Sequence, residues 1–190
     1  LSMAIHPIDT RYGTPEMRAV WTEEHRFACI VQAEAALAAA EASCGLIPAK
    51  DARAIAQGAK KASLVRAKEI EAEIHHDLMA EVRLFAEQAP LGGGILHLGA
   101  TSTDIEDNAD VLRMRQSLDL VLGGLRKLLL LFAVKIEAYA DTPLMAFTHL
   151  QPAEPSTLGY RLACYAQDLL VDWQALSALR KSLKGKGFKG

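Results

Sequence analysis

The stretch that decides the fold spans residues 103–140 and reads TDIEDNADVLRMRQSLDLVLGGLRKLLLLFAVKIEAYA. It contains no proline, and apolar side chains recur along it every seven residues, which is typical of a helix that packs along a seam. The seam consists of Val111, Leu118, Leu125, Phe132 and Tyr139, flanked by Met114, Val121 and Leu128. At 1.5 Å per residue such a helix is roughly 55 Å long, longer than a small domain is wide. Between Val121 and Ile136 it is apolar on more than one side, so we expect several neighbours to pack against it.

Helical periodicity also dominates the rest of the chain, and the alternation typical of strands is nearly absent. Five shorter helices are predicted before the long one: Pro15–Val20, a helix that Thr22 caps and that ends near Gly45, and helices over 49–61, 63–72 and 76–88. A second long helix is predicted to begin at Pro155, because proline is favoured in a first helical turn, and to end near residue 183. The sequence therefore predicts an all-α fold: an amino-terminal helical domain over residues 1–100, then the first long helices of a central bundle over residues 101–190.

Composition limits the classes of function. The 190 residues carry a net charge of −2 without a basic block, which gives no support for nucleic-acid binding. The longest apolar run, residues 128–134, is too short to cross a bilayer, so no membrane contact is expected. The three cysteines form no CxxC pair, and their odd number argues against a disulfide framework, as expected of a cytoplasmic protein.

The last seven residues, KGKGFKG, break the helical pattern and contain nothing that closes a domain. Two long helices also cannot cover the apolar surface that they present. We therefore expect an incomplete polypeptide, with subunit assembly or further chain covering the remaining apolar surface.

Two polar clusters lie in the first half of the chain. Arg11 offers a planar guanidinium suited to phosphate or carboxylate, and Tyr12 adds a hydroxyl; the alternative is a surface arginine beside a packed tyrosine. His75, His76 and Asp77 stand where the fifth helix begins, and a helix amino terminus favours neutral histidine. In one arrangement His76 points inward while His75 and Asp77 cap the helix; simple capping is the alternative. Zinc is disfavoured, because HxxxH spacing is absent.

Two more clusters flank the long helix. In ILHLGATSTD, residues 95–104, three hydroxyls stand at a helix start, where free N–H groups attract anions. Thr103 and Glu106 form a predicted capping box, which leaves Thr101 and Ser102 for an anion; a capped turn is the alternative. In FTHLQPAEPST, residues 147–157, a proline-flanked loop presents Thr148 and His149. His149 is a candidate general acid or base, or alternatively a histidine that is hydrogen-bonded within its loop.

Four motifs in this order resemble the amino-terminal half of the adenylosuccinate lyase family, within the fumarase/aspartase superfamily: HPIDTRYGTPEM, HHDLMAEV, HLGATSTDIEDN and FTHLQPAEPSTLGYR. The resemblance covers nearly the whole chain. It implies β-elimination that releases fumarate from adenylosuccinate, giving AMP, and from a succinylated aminoimidazole carboxamide ribotide in purine biosynthesis. It further implies no metal or organic cofactor, and a mainly helical homotetramer whose active sites are shared between subunits.

The resemblance also implies roles for the catalytic residues. His149 matches the general acid that protonates the departing nitrogen, and Thr148 lies beside it on the substrate. His76 matches the active-site histidine that is followed by an aspartate, here Asp77. A histidine that titrates near neutrality suits proton transfer to a leaving group.

The same resemblance implies substrate contacts. Arg11 and Tyr12 match residues that bind the nucleotide phosphate, while Thr101 and Ser102 match the pair that holds a succinyl carboxylate. Removing a proton beside a carboxylate builds negative charge on its oxygens, and hydroxyl and N–H donors stabilise that charge.

One catalytic part of the family is not found in these 190 residues. The family's base is a serine on a glycine-rich loop of the pattern SSxMPxKxNP, which this sequence does not contain. We therefore expect the chain alone to be inactive. The muconate-cycloisomerising branch, which has a similar GATS loop, is the nearest enzymatic alternative; a non-catalytic helical scaffold is the alternative from another class.

Overall fold

The computed structural model describes residues 8–89 and 92–190, and the chain is helical over most of this length. In chain order the helices are α1 (Ile8–Arg11), α2 (Pro15–Val20), α3 (Glu23–Ser43), α4 (Ala49–Ala59), α5 (Leu64–Ile74), α6 (Asp77–Gln88), α7 (Ser102–Ala138) and α8 (Leu158–Ser182). A short 3-10 turn, Gly93–Ile95, precedes α7, and the strands β1 (Pro143–Thr148) and β2 (Gln151–Thr157) precede α8. The predicted all-α class is confirmed, with this one small hairpin as an addition.

Local signals place the first helices where the sequence predicts them. Thr14 precedes Pro15 in extended backbone, and its hydroxyl accepts the N–H of Met17 at 3.2 Å. Thr22 does the same for α3, where its hydroxyl accepts the N–H of His25 at 3.2 Å. Each hydroxyl satisfies an N–H that has no partner within its helix, and this explains why both helices begin at these residues.

The chain divides into two compact units. The first contains the described residues up to Met114 together with Lys184–Gly190, and the second contains Arg115–Leu183. The predicted domain division after residue 100 stays a prediction.

The first unit has two hydrophobic clusters, and α3 contributes to both. One cluster gathers Phe27 and Val31 of α3 with side chains of α4, α5 and α6, among them Ile55 and Phe85. The other gathers residues of α3, α6 and the start of α7: Cys29, Ile30, Ala33, Leu78, Ile105 and Ala109. Burial of α3 on two sides therefore fixes the beginnings of α6 and α7 in one unit.

The second unit is an antiparallel pair formed by α8 and most of α7. At one end the N–H of Gly159 donates to the carbonyl of Tyr139 at 2.8 Å; at the other, Arg180 forms an ion pair with Asp119 at 2.8 Å. Half-buried residues recur on α7 at spacings of three and four: Leu118, Leu122, Leu125, Leu129, Phe132 and Ile136. The predicted seam is confirmed at Leu118, Leu125 and Phe132. The predicted flanking residues are exposed instead, because one stripe suffices for one neighbour.

The hairpin corrects the predicted start of the second long helix. Pro155 lies in β2, opposite Met145, and α8 begins at Leu158, where the Thr157 hydroxyl accepts the N–H of Tyr160 at 3.1 Å. Proline is compatible with the first turn of a helix and also with an edge strand, because neither position needs its backbone N–H as a donor. Pairing with β1 selects the strand.

Candidate functional site

The GATST loop leads directly into α7, which begins two residues earlier than a capping box at Thr103 would place it. Ser102 is the first helical residue, and the Thr101 N–H donates to the Asp104 carboxylate at 3.1 Å. This is the carboxylate half of a capping box, formed by Thr101 and Asp104. The predicted box of Thr103 and Glu106 is therefore wrong: Glu106 accepts a hydrogen bond from Arg26 at 2.9 Å instead.

This geometry also changes how the loop's hydroxyl residues are used. Thr103 is exposed within the first turn, Thr101 is exposed at the end of the loop, and Ser102 is half-buried. Only the backbone of Thr101 takes part in the Asp104 contact. That Thr101 and Ser102 bind an anion stays a prediction. The helix start to which this prediction applies is now at Ser102.

The His75–Asp77 cluster joins two helices. His75 ends α5 in the left-handed conformation, with φ of 56°. His76 is the N-cap of α6, and its Nδ1 accepts the N–H of Met79 at 3.4 Å. Asp77 follows in the first turn, with its carboxylate 3.6 Å from the same Nδ1. The cap is thus His76 itself, rather than His75 and Asp77 as in the predicted arrangement, because only His76 has the extended backbone that an N-cap requires.

Arg26 of α3 links the starts of α6 and α7. Its Nη2 lies 2.9 Å from Glu106 and 3.8 Å from Asp77. Arg26 therefore holds the Asp77 carboxylate, next to His76, close to the first turns of α7. Sequence analysis missed this link because the partners stand about 50 and 80 residues from Arg26 along the chain.

Arg18 of α2 binds the backbone of the segment that carries Arg11 and Tyr12. Its Nη1 donates to the carbonyls of Thr10 at 3.3 Å, Tyr12 at 3.3 Å and Gly13 at 2.9 Å. Arg11 is exposed and Tyr12 is 66% exposed. Both predicted phosphate contacts therefore face solvent on a backbone that Arg18 fixes in shape.

Thr148 and His149 lie at the tip of the hairpin, in the second unit. Thr148 pairs with Gln151, so His149 and Leu150 form a two-residue turn, with φ of 47° and 62°. Positive φ at both positions is the signature of a type I′ turn, whose twist matches that of the flanking strands. The predicted loop is therefore an ordered hairpin turn that presents an exposed imidazole.

Comparison with known proteins assigns the family. A family model described as Lyase matches residues 10–190. The chain belongs to the lyase family. The resemblance predicted from the four motifs is confirmed by curated relatives named adenylosuccinate lyase: that of Pyrococcus abyssi is 42% identical over 97% of this chain. That of Saccharomyces cerevisiae is 35% identical over 97% of this chain.

Solved structures of the lyase family share the fold. A fumarate lyase from Mesorhizobium sp. BNC1 matches 94% of this chain with a TM-score of 0.84 and 28% identity. A 3-carboxy-cis,cis-muconate lactonizing enzyme from Pseudomonas putida matches 93% with a TM-score of 0.78 and 34% identity. The chain spans 42% of the Pyrococcus relative and 44% and 42% of these two structures.

Within this lyase-family chain, half-buried His97, just before the GATST loop, pairs with a buried glutamate of α3. His97 adopts φ of 65°, and its Nδ1 lies 2.7 Å from Oε1 of Glu34, whose residue is 1% exposed. Burial raises the pKa of Glu34, and the hydrogen bond with His97 opposes that rise. Sequence analysis treated His97 as structural. The signal that could have revealed the pair is Glu34, an acid within the apolar stripe of α3 that needs a buried partner.

A cavity of about 140 Å³ lies beside Asp77 in the first unit. Its charged lining consists of Glu23, Arg26, Lys68, Glu71, Asp77 and Glu81. Ligand pockets usually measure about 300–1,000 Å³, so this cavity holds no nucleotide without further walls.

Across residues 8–89 and 92–190, no group of three or more His, Cys, Asp or Glu side chains is placed to hold a metal, and no helix is long and apolar enough to cross a membrane.

Proposed function

We propose that this chain is part of an adenylosuccinate lyase, a cytoplasmic enzyme of purine biosynthesis. The substrates would be adenylosuccinate, which gives AMP and fumarate, and the succinylated aminoimidazole carboxamide ribotide. The observation that carries the proposal is the group of curated relatives of that name, at 35–42% identity over about 95% of this chain.

In the proposed reaction a base removes a proton beside a succinyl carboxylate, the C–N bond breaks, and its electrons leave on nitrogen. Thr101, Ser102 and the N–H groups at the start of α7 stabilise the negative charge that develops on the carboxylate. His149 donates the proton that the departing nitrogen needs, with Thr148 beside it. Its place at the tip of an ordered turn supports this role, because the turn fixes the direction of an exposed imidazole.

The remaining predicted residues would bind and orient the substrate. Arg11 and Tyr12 are exposed and mounted on a backbone that Arg18 holds, which suits a phosphate contact. His76 accepts an N–H at Nδ1, so its Nε2 carries the proton of a neutral ring and can donate to substrate, with Asp77 as its neighbour.

The complete site would be shared between the subunits of a homotetramer. The apolar face that α7 and α8 leave exposed supports assembly, since such faces are covered in oligomers. The small cavity beside Asp77 supports the same view, because a nucleotide needs additional walls. We propose that the serine base lies outside these 190 residues, so that the chain alone is inactive.

The decisive experiment is an assay of fumarate release by the longer protein that carries this chain, with adenylosuccinate as substrate. Turnover is expected there, and none from the chain that ends at Gly190. Arg11→Gln should raise KM for adenylosuccinate, because one phosphate contact is lost. Arg53→Gln, at an exposed position of α4, serves as the control and should not. Absence of turnover in the longer protein would contradict the proposal.

A second candidate has specific support from two similar proteins. The relative from Dickeya dadantii named N-acetyl-S-(2-succino)cysteine lyase is 34% identical over 94% of this chain, and the P. putida lactonizing enzyme is also 34% identical. Neither of the substrates in these two names carries a nucleotide phosphate. If the protein instead turns over one of these substrates, Arg11→Gln should leave its KM unchanged. The same variant therefore separates the two candidates.

A further inference from the structure

Asp104 is a fully buried carboxylate at the start of α7, with 0% of the residue exposed. Its Oδ2 accepts three backbone N–H groups: from Thr101 at 3.1 Å, from Lys189 at 3.0 Å and from Gly190 at 3.1 Å. One oxygen thus joins the GATST loop to residues that lie more than 80 positions later in the chain. Charge-assisted hydrogen bonds of this kind are among the strongest in proteins.

Further contacts hold the segment Lys184–Gly190, here called the terminal segment, along the first turns of α7. The Lys186 ammonium lies 2.9 Å from Asp107 and 3.6 Å from the other oxygen of Asp104. The Asn108 side-chain amide donates to the Lys186 carbonyl at 3.1 Å. The terminal segment therefore belongs to the same unit as the start of α7, in agreement with the division of the chain.

The charge of Asp104 is held at every physiological pH. Hydrogen bonds from the N–H groups of Lys189, Thr101 and Gly190, with Lys186 nearby, lower the pKa of Asp104 to about 2, although burial opposes the change. The carboxylate is therefore an acceptor for all three N–H groups wherever the protein works.

We propose that Asp104 is a positioning residue that joins the terminal segment to the Thr101–Ser102 loop and so holds this loop in its substrate-binding geometry. Asp104 does not itself touch substrate, since it is buried and its Oδ2 is occupied by three backbone donors. One of its partners, Gly190, lies at the loop's edge: a Cβ added at Gly190 would lie 3.5 Å from the Gly99 carbonyl oxygen. The link to substrate rests on the proposed function; the contact between the segments does not.

The contact is tested by amide hydrogen exchange in the 190-residue chain. Asp104→Asn removes the charge and one acceptor oxygen at nearly constant size. We expect the amides of Thr101, Lys189 and Gly190 to exchange about tenfold faster or more, because a hydrogen bond to a charged group is lost at each. Asp107→Asn is the matched control: it removes the exposed partner of Lys186 and should leave the Thr101 amide within about twofold.

A second variant avoids the buried position. Lys189→Pro removes one N–H donor of the terminal segment and leaves Asp104 intact, so it should speed exchange at Gly190 and Thr101 in a chain that still folds. Unchanged exchange at Thr101 in both Asp104→Asn and Lys189→Pro would overturn the proposed junction.

The role of the junction is tested in the longer, active protein. Asp104→Asn and Lys189→Pro should raise KM for the succinyl substrate more than they lower kcat, because a displaced loop weakens carboxylate binding. An unchanged KM alongside fast exchange would overturn the positioning role. Lack of turnover in the unsubstituted protein would instead contradict the proposed function, while the exchange result would stand.

Discussion

Glu81 shows at the scale of one residue how burial changes chemistry. It is 7% exposed, and its Oε2 has no hydrogen-bond partner among the described residues. Desolvation raises the pKa of Glu81 to about 8, Arg26 opposes the rise, and the carboxylates of Asp77, Glu34 and Glu106 add to it. The side chain is therefore mostly protonated at neutral pH.

This pKa predicts how stability depends on pH. Between the unfolded value near 4.5 and the folded value of about 8, the folded chain holds a proton that the unfolded chain has lost, so the free energy of unfolding falls as pH rises. The slope for one proton is about 1.4 kcal/mol per pH unit. In Glu81→Gln the fall between pH 5 and pH 8 should be smaller, as urea denaturation at several pH values would show. An equal fall in both proteins would contradict the raised pKa.

The proposed general acid gives a second prediction at this scale. In the longer protein, His149→Gln should lower kcat by about 10²–10⁴, because the leaving nitrogen loses its proton donor. His25→Gln on α3 is the control, since His25 is not among the proposed catalytic or substrate-binding residues. Steady-state fumarate release measures both. Turnover of His149→Gln within a few-fold of the parent would show that the assignment is wrong.

At the scale of elements, Gly159 determines how closely the start of α8 approaches the end of α7. A Cβ there would lie 2.7 Å from the Ala140 Cα, 2.7 Å from the Ile136 carbonyl oxygen and 2.8 Å from that of Tyr139. All three neighbours are backbone atoms, so no side-chain rotation relieves the clash.

The two glycine environments predict opposite effects of one substitution. Gly159→Ala should lower the free energy of unfolding by about 1–3 kcal/mol, because the two helices must separate. Gly123→Ala, in mid-α7 with nothing within 4 Å of its added Cβ, should raise it by about 0.5–1 kcal/mol through helix propensity. Denaturant titration of both variants checks the pair. A stabilising Gly159→Ala would contradict the close approach.

At the scale of the whole molecule, the second unit leaves large apolar side chains uncovered. On α7 these include Leu130 at 58%, Leu131 at 63% and Val134 at 65% exposure, and on α8 Val171 at 58%. An apolar surface of this kind on a helix pair favours association with further helices. The proposed tetramer would cover it with the same helices of other subunits.

The 190-residue chain should therefore self-associate. Leu131→Glu should shift it towards smaller species in sedimentation velocity, because a charge is placed on the surface that would be buried. Lys127→Glu adds the same side chain at an exposed polar position of α7 and should leave the distribution unchanged. Equal sedimentation of Leu131→Glu and the parent would argue against association through this face.

The helical class, the start of α3 at Thr22 and the packed seam at Leu118, Leu125 and Phe132 followed from the sequence. Each depends on neighbours within one or two helical turns: a cap hydroxyl three residues from its N–H, or a repeat of apolar residues. Local spacing encodes such features, so they need no knowledge of distant residues.

Other features depend on partners that are distant along the chain. The turn at His149 and Leu150 lacks the Asn or Gly typical of a type I′ turn, so only strand pairing reveals it. The carboxylate of the capping box is Asp104 rather than Glu106, because Arg26 binds Glu106 and the terminal segment adds two donors to Asp104. The sequence alone determined the residue types and the helices that carry them. The tertiary structure decided which of these polar groups are paired, because burial makes an unpaired polar group costly and so selects partners from any distance along the chain.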